Sequence, residues 1–443
     1  MAKRAIGRRS TSTGDQPRLG IVVRFTPKAR ASGAKRLEKA GFKVASSSDF
    51  KKAKEVPNDL GGADVQYFER FGIAVIRKEQ DRLQPVIASA VAGKEIDSAR
   101  PERRYRAIVR ASGLPEGSAK VPQNASYWAG YRDGVAQVVE RLTQEVEIGM
   151  EPEIEAAAAT NRNTTWGIAA IGADLSRFSG AGVKVAILDT GFDSKHPDFK
   201  GRKIVRKLFA SKSSRNDVDG HGTHCVGTAC GPRSPTSQPR YGVAYGAEIY
   251  AGKVLGDDGF GTDRSIMAGM EWALDQGCSV ISMSLGADVE VGEEPNDDYE
   301  QIGQICLDSG CLVVAAAGNE SERPGLIAPV GAPANCPSIL AIGAVDRHMN
   351  VASFSCGGIN RNQLVDLAGP GVGILSAAPG GRYATMDGTS MATPHVAGIA
   401  ALIAESDPKY RGWALWARLV QLARPLRRSQ RDVGKGLAQA PKR

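Results

Sequence analysis

Five near-continuous apolar segments in the C-terminal part of the chain place the strongest constraint on its fold. They are VKVAILD (183–189), AEIYAGKVL (247–255), CSVISMSLG (278–286), CLVVAAAG (311–318) and SILAIGAV (338–345). Strands that are apolar on both faces are typical of a parallel sheet covered on each side. Helical segments separate them, among them 263–277. The pattern predicts a doubly wound α/β domain, in which active residues lie at the carboxyl ends of strands.

The chain before this domain has a different pattern. At 443 residues it is too long for one compact core, which predicts two folded units. Strand and helix signals from residue 19 follow the order β-α-β-β-α-β, typical of a small α+β unit of the ferredoxin-like kind. We expect a disordered lead over 1–18, this unit over 19–107, a linker with an amphipathic helix over 108–160, and the α/β domain over 161–443. The linker helix is expected to be a spacer, with partner binding as the alternative.

Charge is divided unevenly along the chain. Residues 1–150 hold 28 Lys+Arg against 17 Asp+Glu, whereas residues 151–443 hold 29 against 31. A basic unit beside an acidic one predicts that the two attract each other. Nucleic-acid binding is the alternative, but the basic residues are scattered and no reader motif accompanies them. We therefore expect no nucleic-acid partner.

Targeting and redox signals point to the cytosol. The apolar runs are shorter than the ~18 residues of a membrane span, which predicts no membrane partner. The basic N-terminal stretch has no apolar segment behind it, so we expect a cytoplasmic protein, with non-classical export as the alternative. The odd count of seven cysteines favours free thiols. Cys306 and Cys311, five residues apart, are the most plausible pair if a disulfide forms.

Three short segments of the predicted α/β domain carry an acid, a base and a nucleophile. They are AILDTG (186–191), DGHGTHC (219–225) and DGTSMATPHVAG (387–398). Asp189 ends a buried strand, while His221 and Ser390 each open a helix. The dipole at a helix N-terminus favours the negative charge that develops on a nucleophile. Together the three residues are the minimum set for acyl transfer.

Other interpretations of these segments use the same residues. His221 and His224 could bind a metal ion, but neither a third ligand nor the HExxH pattern accompanies them, so we expect no metal site. Ser390 could be a plain helix cap. His395, on the helix that follows Ser390, and Cys225, four residues after His221, are expected to be structural side chains.

The order Asp, His, Ser on one α/β domain resembles the subtilisin family. HGTHC (221–225) and GTSMATPHVAG (388–398) are most similar to its proteinase K branch. The resemblance implies a serine endopeptidase that cleaves proteins or peptides through an acyl-enzyme. It also implies that residues 19–107 are an inhibitory propeptide, so that the chain is a self-inhibited zymogen cut between about residues 105 and 163. A catalytically silent binding scaffold of the same fold is the alternative.

The resemblance assigns further residues of the site. Asn319, in AAAGNE (315–320), becomes the side-chain donor to the oxyanion, a role whose loss costs about 10²–10³ in turnover in subtilisin itself. The substrate-binding residues implied are Asp219, Gly259, Gly261, Ser284, Leu285, Gly286, Glu320 and Gly331. Gly331 forms the floor of the pocket for the residue before the scissile bond (P1), Glu320 lies at the rim of that pocket, and Asp219 lines the pocket for P2.

Calcium is the one cofactor that the resemblance suggests. Asp198, in HPDF, matches a calcium ligand of the family. The stretch 231–246 lacks the Asn-rich loop that would supply the other ligands. We therefore expect no cofactor.

Overall fold

The computed structural model describes residues 19–51, 53, 56, 61–77, 93–108 and 163–442. The lead over 1–18, the second helix of the predicted β-α-β-β-α-β unit and the linker helix within 108–160 lie outside the described residues.

A five-stranded sheet forms the N-terminal unit. Its elements are β1 (Ile21–Phe25), α1 (Gly33–Lys39), β2 (Val44–Ser46), β3 (Val65–Phe68), β4 (Ile73–Ile76) and β5 (Ile96–Pro101), followed by β6 (Arg104–Ala107), which belongs to another sheet. The strands lie in the order β2-β3-β4-β1-β5. β2 pairs with β3 in parallel, and the other neighbours pair antiparallel. Without the short β2, the order β3-β4-β1-β5 is that of a ferredoxin-like sheet.

From residue 163 on, the chain forms an α/β domain. Its helices are α2 (Trp166–Ala170), α3 (His221–Cys230), α4 (Asp263–Asp275), α5 (Asp297–Asp308), α6 (Thr389–Ser406), α7 (Gly412–Leu422) and α8 (Gln430–Val433). Its strands are β7 (Lys184–Asp189), β8 (Ile204–Leu208), β9 (Glu248–Lys253), β10 (Phe260–Thr262), β11 (Val280–Met283), β12 (Leu285–Gly286), β13 (Leu312–Ala316), β14 (Leu340–Val345), β15 (Leu367–Pro370), β16 (Ile374–Ala378) and β17 (Arg382–Met386). Seven parallel strands form a central sheet in the order β15-β14-β13-β11-β7-β9-β8.

This central sheet confirms the predicted doubly wound fold. The chain builds β8 and β9 on one side of β7, and β11, β13, β14 and β15 on the other, so β7 lies at the switch point of the strand order. Val185 and Ile187 of β7 lie in the core that contains α3 and α6, whereas Ala186 and Leu188 lie in the core that contains α4 and α5. Alternate side chains of a strand point to opposite faces, which explains why the strand is apolar throughout.

The predicted strand 278–286 is divided between two sheets. It leaves the central sheet after Met283, and its last residues form β12. β12 and β10 pair antiparallel with β6, which lies between them. The segment that leaves the N-terminal unit is therefore the middle strand of a three-stranded sheet on the α/β domain.

The two units share a hydrophobic core. One face of the N-terminal sheet, including Phe68, Ile73 and Val75, belongs to the same buried cluster as Met270 of α4 and Ile302 of α5. The other face packs around α1 in a separate cluster. The N-terminal sheet is therefore docked on α4 and α5 through apolar contacts.

Ion pairs across this interface join basic residues of the N-terminal unit to acidic residues of the α/β domain, as the uneven division of charge along the chain predicts. Arg100 donates from Nη1 to Asp263 at 2.8 Å and from Nε to Asp298 at 2.7 Å. Both carboxylates are buried, with side chains 0% and 2% exposed. Arg24 and Arg70 make further pairs with Asp298 and Asp275.

The described helices and cysteines bear on the environment of the protein. No helix among the described residues has both the length and the apolar character needed to cross a membrane. All seven cysteines are buried and have free thiols, including Cys306 and Cys311.

Replacing Arg100 with Ala should destabilise the chain by about 3 kcal/mol, because the change leaves two buried carboxylates without their main cation. Arg36→Ala is the matched control, since Arg36 pairs with Glu95 near the surface and such pairs contribute under about 1 kcal/mol. Urea denaturation measures both losses. Equal losses for the two variants would contradict the importance of the buried interface pair.

Candidate active site

The predicted acid, base and nucleophile meet at the carboxyl edge of the central sheet. Asp189 is the last residue of β7, at the switch point of the strand order. His221 is the first residue of α3, and Ser390 lies in the first turn of α6. All three side chains are buried, with relative exposures of 1% or less.

Asp189 and His221 form a buried hydrogen-bonded pair. Nδ1 of His221 lies 2.7 Å from Oδ1 of Asp189, which also accepts from the backbone N–H of Thr190. Burial alone would lower the pKa of His221, but the Asp189 carboxylate outweighs it and the pKa lies well above its ordinary value. Nδ1 therefore holds its proton toward Asp189. Nε2 has no hydrogen-bond partner among the described residues and is the nitrogen left to exchange a proton.

Ser390 is bonded to Ser284. Its Oγ donates to the carbonyl oxygen of Ser284 at 3.2 Å, and Oγ of Ser284 donates to the carbonyl oxygen of Ser390 at 2.8 Å. Within the described part of the chain, Ser390 Oγ makes no hydrogen bond to His221 Nε2. The structure thus joins Asp189 to His221 and places Ser390 beside Ser284, the residue between β11 and β12.

Asn319 directs its amide at a carbonyl group in the cleft. Its Oδ1 accepts from the backbone N–H and from the hydroxyl of Thr389, each at 2.9 Å, which fixes the orientation of the amide. Nδ2 donates to the carbonyl oxygen of Ile108 at 3.2 Å. Gly388 lies against both, since a Cβ there would be 3.0 Å from Nδ2 and from that carbonyl oxygen. A side chain at this position would crowd both atoms.

The predicted substrate-binding backbone holds β6. Gly261 is paired with Tyr105 on one edge, and Leu285 and Gly286 are paired with Ala107 and Arg106 on the other. Two further hydrogen bonds extend the pairing: the carbonyl oxygen of Gly259 accepts from the N–H of Ala107 at 3.1 Å, and that of Ser284 accepts from the N–H of Ile108 at 3.3 Å.

The remaining predicted residues lie around Ile108. The Ile108 side chain covers Gly286, where an added Cβ would lie 2.6 Å from Cδ1. Gly331 lies beside Ala287, and the peptide bond before Pro333 is cis.

Two acidic residues of the predicted site have identified partners. Asp219 accepts from the backbone N–H of His221 at 3.1 Å, and it lies near Gly259. Glu320 lines a cavity of about 260 Å³ with Ile108 and Asn319. Its carboxylate, however, pairs with Arg106, two residues before Ile108.

Comparison with known proteins identifies the family. The Subtilase family profile matches residues 180–436, more than half of the chain. The chain belongs to the subtilase family. It is 40% identical to Subtilisin BL of Lederbergia lenta over 252 residues, covering 56% of this chain and 87% of that protein. It is 36% identical to Subtilisin E of Bacillus subtilis (strain 168) over 304 residues, covering 68% and 76%. This subtilase is a serine endopeptidase, and it acts on protein or peptide substrates.

Two acidic residues near the cleft of the subtilase have no clear sequence signal. Asp263 accepts from the phenol of the buried Tyr105 at 3.0 Å, and Asp288 pairs with Arg106 at 2.9 Å. Asp263 follows Gly-Thr at the start of α4. An acidic residue there is explained by its favourable interaction with the helix dipole, so the sequence gives no reason to assign it another role. Asp288 lies two residues after the segment SLG (284–286), and only its ion pair with Arg106 shows that it contacts the strand in the cleft.

The two other histidines of the motifs are bonded to the backbone. His224 Nε2 lies 2.9 Å from the carbonyl oxygen of Ile374, and His395 Nδ1 lies 2.7 Å from that of Met391. Burial lowers the pKa of His224 to about 3 and that of His395 to about 4, so both are neutral donors.

Neither of two sites with side chains that could bind a metal ion fits such an ion. Asp189, His221 and Cys225 lie close together, but Nδ1 of His221 is bonded to Asp189, and burial raises the pKa of the Cys225 thiol. The two oxygens of Asp198 accept four hydrogen bonds from protein groups: the N–H and hydroxyl of Thr236, and the phenols of Tyr241 and Tyr383. These donors occupy the oxygens that a calcium ion would need.

Mercurials should slow the enzyme through Cys225, because a metal on this thiol would displace the imidazole in front of it. Cys225 Sγ lies 3.9 Å from Nδ1 of His221 and 3.5 Å from the carbonyl oxygen of Ser390. Cys225→Ala should remain active and lose the sensitivity, as measured by peptide hydrolysis with and without mercurial. The other six cysteines stay in this variant, so retained sensitivity would assign the effect to another thiol.

Proposed function

We propose that this subtilase is made as a self-inhibited zymogen, in which the unit over 19–107 is an inhibitory propeptide. The observation that carries the proposal is the position of β6 between β10 and β12, with Ile108 next to Asn319. An extended strand held by backbone bonds on both sides is how a peptide adds to a sheet edge. The last strand of the N-terminal unit thus occupies the place of a substrate.

In the proposed mechanism, Ser390 is the nucleophile and His221 the general base. Rotation about the Cα–Cβ bond of Ser390 carries Oγ from Ser284 toward Nε2 of His221. In the neutral form of the imidazole, Nε2 takes the hydroxyl proton as Oγ attacks the carbonyl carbon. Asp189, 2.7 Å from Nδ1, stabilises the imidazolium that results. The new C–O bond gives an acyl-enzyme once the proton passes from His221 to the leaving amine and the C–N bond breaks. Water then hydrolyses the ester.

Asn319 is proposed as the oxyanion donor. Its Nδ2 already points at the carbonyl oxygen of Ile108, and its orientation is fixed by Thr389. Donors held in place before the reaction stabilise the charge that develops on this oxygen. The bond after Ile108 is therefore the bond that we propose the chain cuts in itself, inside the window that the sequence predicts.

The partners proposed are protein or peptide substrates and the chain's own propeptide. Arg100 and Arg106 of the N-terminal unit contact carboxylates of the α/β domain. This use of basic charge supports an internal partner. The absence of a nucleic-acid or membrane partner stays a prediction. We also infer that protein donors, in place of calcium, satisfy Asp198. The similarity of HGTHC to the proteinase K branch and the cytoplasmic location stay predictions.

Ser390→Ala should prevent self-cleavage and leave the chain at full length, because the nucleophile is lost. Ser406→Ala, at the other end of the same helix, is the matched control and should process as the unmodified chain does. N-terminal sequencing of the product should begin at Val109. Cleavage by the purified Ser390→Ala chain, or a first cut elsewhere in the chain, would contradict the proposal.

A further inference from the structure

The side chain of Arg106 lies between two carboxylates of the α/β domain. Its Nη2 is 2.9 Å from Oδ1 of Asp288 and 3.0 Å from Oε1 of Glu320. Nη1 is 3.4 Å from the other oxygen of Asp288. The guanidinium is thus bound on two sides by groups from separate loops.

Glu320 is held in place independently of Arg106. The thiol of Cys356 donates to its Oε2 at 3.2 Å. Burial raises the pKa of this thiol, so it stays protonated and remains a donor. Gly318 has a φ of +117°, and a Cβ there would lie 2.5 Å from the same carboxylate oxygen. One oxygen of Glu320 is therefore fixed by the protein, while the other faces the cleft.

The register of β6 determines which residue reaches this pair. Arg106 is opposite Gly286 in β12 and opposite Phe260 in β10. Successive side chains of a strand point to opposite sides, and Tyr105 is buried while the Arg106 side chain is 43% exposed. Backbone pairing is independent of sequence, so any peptide in this register places its equivalent side chain beside Asp288 and Glu320.

We propose that Asp288 and Glu320 form a subsite for a cationic side chain at the third residue before the scissile bond (P3). The assignment rests on the proposed function, because it takes Ile108 as the residue before that bond. It names the substrate class as peptides with arginine or lysine at P3, and it adds a contact with the P3 side chain to the predicted role of Glu320 at the P1 rim. Arg106 of the propeptide occupies the subsite in the zymogen.

The expected preference is modest because the site is open to solvent. The side chains of Asp288 and Glu320 are 60% and 27% exposed. Two such pairs should favour arginine over glutamine at P3 by about two- to tenfold in kcat/KM. Rising salt should reduce the ratio, since screening acts on exposed charge.

The test compares two peptides that differ only at P3, Tyr-Arg-Ala-Ile and Tyr-Gln-Ala-Ile, each followed by the same leaving group. The processed enzyme, separated from its propeptide, should cleave the arginine peptide with the higher kcat/KM. In the double variant Asp288→Asn, Glu320→Gln the ratio of the two values should fall to about one. Because both values come from the same enzyme preparation, a general loss of activity cancels in the ratio.

Glu322→Gln is the matched control. Glu322 lines the same cavity, and none of the contacts described for Arg106 involves it. The control should keep the arginine preference. A ratio of one in the unmodified enzyme, or an equal fall in the control, would overturn the P3 subsite and leave the proposed function standing. Cleavage of neither peptide would overturn both.

Discussion

The backbone pairing of β6 with β10 and β12 is the interaction on which the rest of the structure depends. It places Ile108 between Ser284 and Asn319, and it fixes which side chains reach Asp263 and Asp288. β6 follows the N-terminal sheet after only two residues, so the strand can occupy the cleft only while that sheet is docked on α4 and α5. The proposed inhibition and the docking of the N-terminal sheet are therefore two results of one arrangement.

Charged groups at the interface help to fix the relative position of the two units, and buried groups contribute more than exposed ones. Glu102 accepts from the N–H of Gly20, from Arg77 and from the N–H of Arg264 at the start of α4. Burial raises the pKa of Glu102, but Arg77 and these hydrogen bonds outweigh it and the pKa is lowered. A carboxylate bonded from both units favours one relative position, because a shift would remove the hydrogen bond from the N–H of Arg264 and leave only the donors of its own unit. Exposed pairs such as Arg106 with Asp288 contribute less free energy, which is why the proposed preference at P3 is modest.

The sequence predicts strands correctly where a run of apolar residues corresponds to a strand buried on both faces. The strands around Asp189 are buried on both faces and appear as apolar runs. The edge strands β8 and β15 were not predicted, because IVRKL is only partly buried and LAGP contains Gly and Pro. The partner of Glu320 could not be predicted either, since Arg106 lies 214 residues away in sequence. Such a contact exists only once the register of β6 is known.

Amide hydrogen exchange of the full-length Ser390→Ala chain tests most directly whether β6 fills the cleft. The N–H groups of Ala107 and Ile108 are bonded to Gly259 and Ser284, so they should exchange as slowly as those of the central strand β11. Exchange of Ala107 and Ile108 at the rate of an unstructured chain, with β11 still protected, would contradict the account.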